Sequence, residues 1–239
     1  MKIIEQSHEI ISLPENLLET IELAGRTCYQ SEKKIGCSIK RELDPYDHCE
    51  KYCPPMQQYE TLSGKRINCN SECENHTSQK FVKMLRDKKH HAMIEFGDII
   101  VKFITNRGVT HELVRHRHCS FAQESTRYVN YKGEMEFILP VWWENTHRDE
   151  KAVWIANNFA TEEYYKRLLE FGWRPEQARD VLPNSIKTEI VVKANIREWR
   201  HIFELRTSKK SHPQIRALMT LLLLELKELL PIVFDDINI

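Results

Sequence analysis

The sequence predicts an α+β fold, a mixed sheet with helices packed on it and no Rossmann crevice. Three observations carry that reading. Apolar residues recur at helical spacing in several well-separated stretches. Two other segments, 96–105 and 186–193, are rich in β-favouring residues and place apolar side chains at alternate positions. Helices and strands follow one another without a regular βαβ rhythm, and no Gly-x-Gly-x-x-Gly turn is present.

Taken in order, 2–13 reads as a strand with an entry turn. Pro14 opens a helix carrying Leu17, Leu18, Ile21 and Ala24 at helical spacing. Thr77 or Ser78 can cap a second helix running through Lys89, with Phe81, Val82 and Leu85 inward. Ile99, Val101 and Phe103 share one side of the strand over 96–105. A helix with Val109, Leu113 and Val114 on its apolar side comes next, and extended pieces are expected over 128–141. A long helix over 149–171 should end at Gly172, and a short one over 175–182 should stop at Pro183. Residues 186–193 alternate as a strand and 197–205 read as helix. The last helix takes Pro213 as its first residue and lines up Ile215, Leu218, Met219, Leu222, Leu226 and Leu229, the spacing of an ordinary packed face.

A chain of 239 residues with 41% hydrophobic content suits one domain, 1–239, with an insert at 35–76. The formal net charge of +0 argues against broad electrostatic binding of nucleic acid. The longest apolar run, Leu221 to Leu224, is too short to span a bilayer, so no membrane partner is expected. Residues 1–5 lack the apolar stretch of a signal peptide, and the expected setting is cytoplasmic.

Chemistry concentrates in residues 115–128, Arg-His-Arg-His-Cys-Ser-Phe-Ala-Gln-Glu-Ser-Thr-Arg-Tyr. Guanidinium forks match phosphate oxygens two at a time, and serine hydroxyls add short donors. His111 and Arg115 lie four apart on one helical face, and the segment then runs into Ser120 and Ser125, which favour turns or caps over helix interiors. A helix edge followed by a polar loop can present side chains and free N–H groups to one anion. A solvated basic face is the bland alternative. Against it, the residues four places after Arg115 and Arg127 are Cys119 and Tyr131, so no carboxylate neutralises either arginine in the usual helical way. The stretch points to a phosphorylated small molecule.

Arg-His-Arg-x-x-Ser followed by x4-Ser-x-Arg-Tyr resembles the signature of the flavin-dependent thymidylate synthases, carried here by Arg115, His116, Arg117, Ser120, Ser125, Arg127 and Tyr128. Other pieces similar to that family follow its order: Arg-Thr-Cys-Tyr at 26–29, His90 with Glu95, Ala178-Arg179-x-x-Leu182-Pro183, and Asn195-x-Arg197-x3-His201-x4-Arg206. The resemblance spans nearly the whole chain apart from about 40 residues after Tyr29. It implies a single catalytic domain that reductively methylates dUMP to dTMP. Methylenetetrahydrofolate would give the carbon, FAD carry the hydride and NADPH reduce the flavin, in a homotetramer with FAD at subunit junctions. By the same resemblance Arg206 is the catalytic cation against the uracil, stabilising the charge that makes C5 nucleophilic. The substrate-binding set implied is Glu112, Arg115, Gln123, Glu124, Ser125, Thr126, Arg127, Arg179 and Arg206. The flavin-binding set implied is His90, Ala92, Arg115, His116, Arg117, Gln123, Asn195, Ile196, Arg197 and His201, with no metal. The chain departs from the family pattern at Glu112, often Gln, at Phe96, often His, and over 211–216, where Ser-His-Pro-Gln-Ile-Arg replaces a more common Ala-Gln-x-Glu-Ile-Arg. Glu112 is expected to face the base or sugar, or to pair with an arginine.

Three other motifs carry less. His111-Glu112-Leu113-Val114-Arg115-His116 fails as a zinc-protease helix because the second histidine is at i+5 rather than i+4. Cys119 lacks the surroundings of a nucleophile and reads as a small apolar residue. The insert holds Cys37, Cys49, Cys53, Cys69 and Cys73, with His48 and His76 nearby. Its two Cys-x3-Cys pairs leave a zinc site, a disulfide-stapled hairpin and plain thiols all open.

Overall fold

The computed structural model describes residues 1–35, 77–131 and 133–239. The five cysteines of the insert therefore lie outside the described residues. Elements below are numbered in chain order among those that are described.

The centre of the molecule is a four-stranded sheet in the order β2-β3-β6-β4: β2 (Ser7–Ser12), β3 (Asp98–Asn106), β6 (Lys187–Asn195) and β4 (Ser120–Gln123). Every pairing in it is antiparallel, and β3 and β6 run together over nine residues from Asp98↔Asn195 to Asn106↔Lys187. Side chains alternate across a strand, so Ile99, Val101 and Phe103 of β3 and Ile190, Val192 and Ala194 of β6 fall on one buried face. Helices cover that face: α1 (Leu17–Thr27), α2 (Thr77–Asp87), α6 (Ile196–Arg206) and α7 (Pro213–Leu229). Trp199 of α6 is fully buried, donates its indole N–H to the Ile99 carbonyl at 3.1 Å and stacks near Phe203. Truncating such a side chain costs roughly 3–5 kcal/mol, so this contact pins α6 to the sheet.

A smaller two-stranded sheet joins β1 (Lys2–Ile4) in parallel to β5 (Glu136–Ile138). The only parallel pairing among the described residues is therefore outside the main sheet, and the mixed character of the fold comes from two separate sheets. A second core of Met135, Phe137, Tyr165, Ala178 and Ile186 lies beneath α4 (Arg148–Glu170) and α5 (Pro175–Ala178).

Several elements differ from the sequence expectations for identifiable reasons. The strand expected over 2–13 is two strands that join different sheets. Between them Gln6 turns its amide to the Gln214 carbonyl and the Thr105 hydroxyl. The first helix begins at Leu17, three residues after Pro14. The second ends at Asp87 rather than Lys89. Lys89 sits in the left-handed region at φ 58°, and His90 N–H closes back on the Leu85 carbonyl at 2.8 Å. That is a glycine-type helix end built on lysine, so the usual signal was missing. Only Glu136–Ile138 is strand within 128–141. The segment over 175–182 is α5 followed by a 3-10 turn, Arg179–Val181. Ser120 opens strand β4 rather than a turn. Leu229 is half exposed, unlike the rest of its stripe, and a further short helix, α8 (Pro231–Phe234), follows α7.

The departures at 211–216 have structural roles. His212 caps α7 by accepting the Gln214 N–H at 3.2 Å. Gln214 is fully buried and bonds Val141 N–H and the Leu139 carbonyl, tying α7 to the segment after β5. Among the described residues no helix is long and apolar enough to cross a membrane.

Candidate active site

Both central strands end in an asparagine that caps a helix. Asn106 accepts the Val109 N–H at 2.9 Å to start α3 (Arg107–Leu113), and Asn195 accepts the Glu198 N–H at 2.9 Å to start α6. Because the strands are antiparallel, these helices leave opposite ends of the sheet. The last residue of α6, Arg206, then meets the last turn of α3.

There the guanidinium of Arg206 uses all its corners. Nε donates to Nε2 of His116 at 3.0 Å, Nη1 to the Glu112 carboxylate at 2.7 Å, and Nη2 to the Glu112 carbonyl at 3.2 Å. Glu112 thus pairs with an arginine, one of the arrangements its sequence position allowed. His116 is buried, with His201 edge-on to it at 6.0 Å between ring centres. Burial, then the nearby Arg206 and His201, lower its pKa to about 4, so the ring is neutral near pH 7. Its Nδ1 faces Glu198 at 3.4 Å, a distance that would suit an ion pair. A guanidinium can only donate, however, so Nε2 is an acceptor and the imidazole is not charged.

A second group gathers near the other end of α3. Ser125 carbonyl accepts from Tyr128 and Val129 N–H, forming a turn, and Ser125 Oγ accepts the Arg127 N–H at 3.3 Å. Arg179 reaches this turn through the Thr126 hydroxyl at 3.5 Å. Arg107 donates to the Glu124 carbonyl at 2.9 Å and anchors the turn to α3. Arg115, Arg117, Arg127 and Arg179 are exposed, and among the described residues none of the four has an ion-pair partner. This is the pattern expected of cations reserved for an outside anion rather than of a salt-bridged surface.

The remaining expected residues divide into two kinds. Gln123 points inward, its amide donating to the buried hydroxyls of Thr110 at 2.9 Å and Thr188 at 3.3 Å. Glu124 accepts from the Tyr131 hydroxyl at 2.5 Å and from Lys187 at 3.4 Å. Ile196 is fully buried. His90, Ala92, Arg197 and His201 are exposed, and Arg197 pairs with Glu95 at 2.5 Å, which sets the segment of residues 90–96 beside α6. Arg200, from the same helix, binds the Asp236 carboxylate with both terminal nitrogens at 2.7 Å. Together with Lys89 and Arg197 it helps burial hold His91 below the usual imidazole range.

Sequence reasoning did not single out Glu198, Thr110, Thr188, Lys187 or Tyr131. A signal existed only for Glu198: Asn195-x-x-Glu198 has capping-box spacing, yet the carboxylate faces His116. Burial and the Glu198 carboxylate push the Cys119 thiol up to about 12, which agrees with an apolar rather than nucleophilic role.

Comparison with known proteins places this arrangement in a family. The family profile described as thymidylate synthase complementing protein matches residues 9–232. A flavin-dependent thymidylate synthase of Corynebacterium efficiens is 33% identical over 179 residues, covering 68% of this chain and 71% of that protein. One from Mycobacterium marinum is 29% identical, covering 92% of this chain and 79% of its own. Among solved structures, a UMP/dUMP methylase from Streptomyces cacaoi bound with 5-Br dUMP superposes with TM-score 0.70 at 19% identity, covering 98% of this chain and 96% of that one. A flavin-dependent thymidylate synthase from Helicobacter pylori complexed with FAD and dUMP gives 0.67 at 20% identity, covering 99% and 100%. At that identity the superpositions speak for the fold, while the profile match and the Corynebacterium relative speak for descent. The chain belongs to the flavin-dependent thymidylate synthase family.

Proposed function

We propose that this chain is a thymidylate synthase that methylates dUMP to dTMP, with carbon from methylenetetrahydrofolate, FAD as hydride carrier and NADPH as reductant. The observation that carries the reading is Arg206, a guanidinium held at the rim of the core by His116 and Glu112, in a chain whose exposed Arg115, Arg117, Arg127 and Arg179 have no ion-pair partner among the described residues. By name the Corynebacterium relative is a flavin-dependent thymidylate synthase, and the two fold neighbours are a UMP/dUMP methylase bound with 5-Br dUMP and a flavin-dependent thymidylate synthase complexed with FAD and dUMP.

The roles follow from the donor chemistry. Arg115, Arg127 and Arg179, with Ser125 and Thr126, bind the nucleotide at its phosphate, where forked and short donors are strongest. Gln123 and Glu124 shape the turn, since their side chains are already bonded inward. Arg206 meets the pyrimidine with its terminal nitrogens, which give up or share their Glu112 contacts while Nε stays on His116. A cation at the ring edge stabilises the anionic character that makes C5 a nucleophile. His90 and Ala92 in residues 90–96 and Asn195, Arg197 and His201 along α6 form a largely exposed strip, with Arg117 and His116 contributed from the segment after α3, and this donor set fits an anionic dinucleotide such as FAD. When bound, FAD supplies the hydride chemistry.

Within one chain the Arg206 cluster meets α3 at Glu112 and the Ser125 turn is tied to it at Arg107. The arginines around both are open to solvent. A second copy laid across this face would enclose a site that one subunit leaves open, which supports FAD at subunit junctions; the homotetramer is the assembly that the family resemblance implies. The chain then acts as a single catalytic domain in the cytoplasm.

The test is direct: purified protein with dUMP, methylenetetrahydrofolate and NADPH, with and without FAD. Formation of dTMP that depends on flavin, from protein with flavin absorbance, supports the proposal. Flavin-dependent NADPH oxidation with no dTMP would instead make this a flavin oxidoreductase without methyl transfer.

A further inference from the structure

We infer that Glu198 is a positioning residue that fixes the His116 tautomer and, through it, the plane of the Arg206 guanidinium. The inference rests on the reading of Arg206 as the cation against the pyrimidine.

Arg206 Nε donates to His116 Nε2 at 3.0 Å. A guanidinium has no lone pair to offer, so Nε2 must carry one, and a neutral imidazole of that kind holds its proton on Nδ1. Nδ1 faces Glu198 Oε1 at 3.4 Å, with the two side chains 5% and 9% exposed. The result is a directed series: carboxylate, imidazole N–H, imidazole lone pair, guanidinium N–H. Its first link is longer than a tight hydrogen bond, as contacts near a reaction centre often are before substrate arrives.

The groups around the imidazole favour this state. From α6 it meets Arg206, His201 and Glu198; from α3, Glu112 reaches the same guanidinium; Cys119 lies close to Glu198 with its thiol protonated. Two cationic or potentially cationic neighbours and burial oppose a charged ring, which leaves the carboxylate to select which nitrogen bears the proton. Capping does not account for Glu198, because Asn195 already caps α6. Among the described residues His116 is its only partner at ion-pair distance.

The consequence concerns orientation. Arg206 has two contacts to Glu112 and one to His116. When a nucleotide engages the terminal nitrogens, the Nε contact to His116 is the one that still defines the plane. Losing its support should lower kcat and leave nucleotide and flavin binding in place.

The experiment uses the full-length, flavin-loaded protein. Glu198→Ala should lower kcat about 10- to 100-fold, the scale of a misplaced catalytic group, with KM for dUMP and flavin content nearly unchanged. Glu198→Gln should recover most of the loss, because its amide oxygen still accepts from Nδ1–H. Nitrogen-15 NMR of His116 in the native protein should show a bare Nε2 and a protonated Nδ1 from pH 8 down to about 5. A proton on Nε2, or normal kcat in Glu198→Ala, overturns the inference; a residue that only supported the fold would lower Tm and leave kcat alone. If Glu198→Ala does not fold, the glutamine variant and the native tautomer decide. Turnover retained by Arg206→Ala would overturn the reading of Arg206 itself; an inactive Arg206→Ala beside a fully active Glu198→Ala would overturn this inference alone.

Discussion

The two ends of α3 are built on opposite plans. At its C-terminal end, Arg206, Glu112 and His116 are already bonded to one another, partly buried, with charge balanced inside the group. Beyond its N-terminal end, the Ser125 turn with Arg127 and Arg179 exposes cations that no carboxylate among the described residues neutralises. Preorganisation suits a group that must act on a developing charge, because its orientation is set before the reaction. Open arginines suit capture of a dianion, which then supplies the missing counter-charge. The contrast predicts that the first region governs turnover and the second governs affinity.

The largest effect should come from Arg206→Ala. Turnover should fall about 10²- to 10³-fold, as for loss of a single oxyanion donor, while flavin absorbance stays. Equal loss of flavin would blur the two regions into one. Next, Arg127→Ala or Arg179→Ala should raise KM for dUMP about 10- to 100-fold, the value of one charge-assisted bond, with kcat little changed. Added salt should raise the same KM, since exposed charges are screened. If kcat fell instead, the open arginines would belong to the chemistry.

The buried His116 gives a pH test that the exposed region should not show. Its folded pKa of about 4 lies below the ordinary 6.5. Below pH 6.5 the unfolded chain takes up a proton that the folded chain refuses, so stability from this group falls as pH drops from about 6.5 to 4 and is unaffected above that window. The full shift corresponds to roughly 3 kcal/mol. Urea midpoints of native and His116→Gln protein should therefore converge in pH dependence only at neutral pH. The smallest effect is a control outside both regions. His212→Ala removes the cap of α7 and should cost about 1 kcal/mol by thermal unfolding, with kcat and KM intact.

How much of this was readable from the residues follows the same division. Periodic elements such as β3, β6 and α7 were legible because their alternation or stripe is decided by one buried face. The end of α2 was not, since Lys89 takes a left-handed conformation without glycine. Strand β4 was hidden because its four residues alternate too briefly and begin with a serine. The arginines at 115, 117 and 127 were legible as candidates for an anion because cations at close spacing without a carboxylate four residues on are unusual in a balanced chain. The Glu198–His116–Arg206 series was not, because it joins α6 to the end of α3 across about 90 residues, and only packing brings them together. Gln123 and Glu124 were expected at the nucleotide from the motif, yet their side chains turn inward for reasons set by Thr110, Thr188 and Tyr131.

One measurement reaches the centre of the account. With methylenetetrahydrofolate labelled with carbon-13 at its methylene and unlabelled dUMP, the product's C5 methyl group should carry the label, and only when FAD and NADPH are present. Unlabelled nucleotide recovered intact while NADPH is consumed would contradict it.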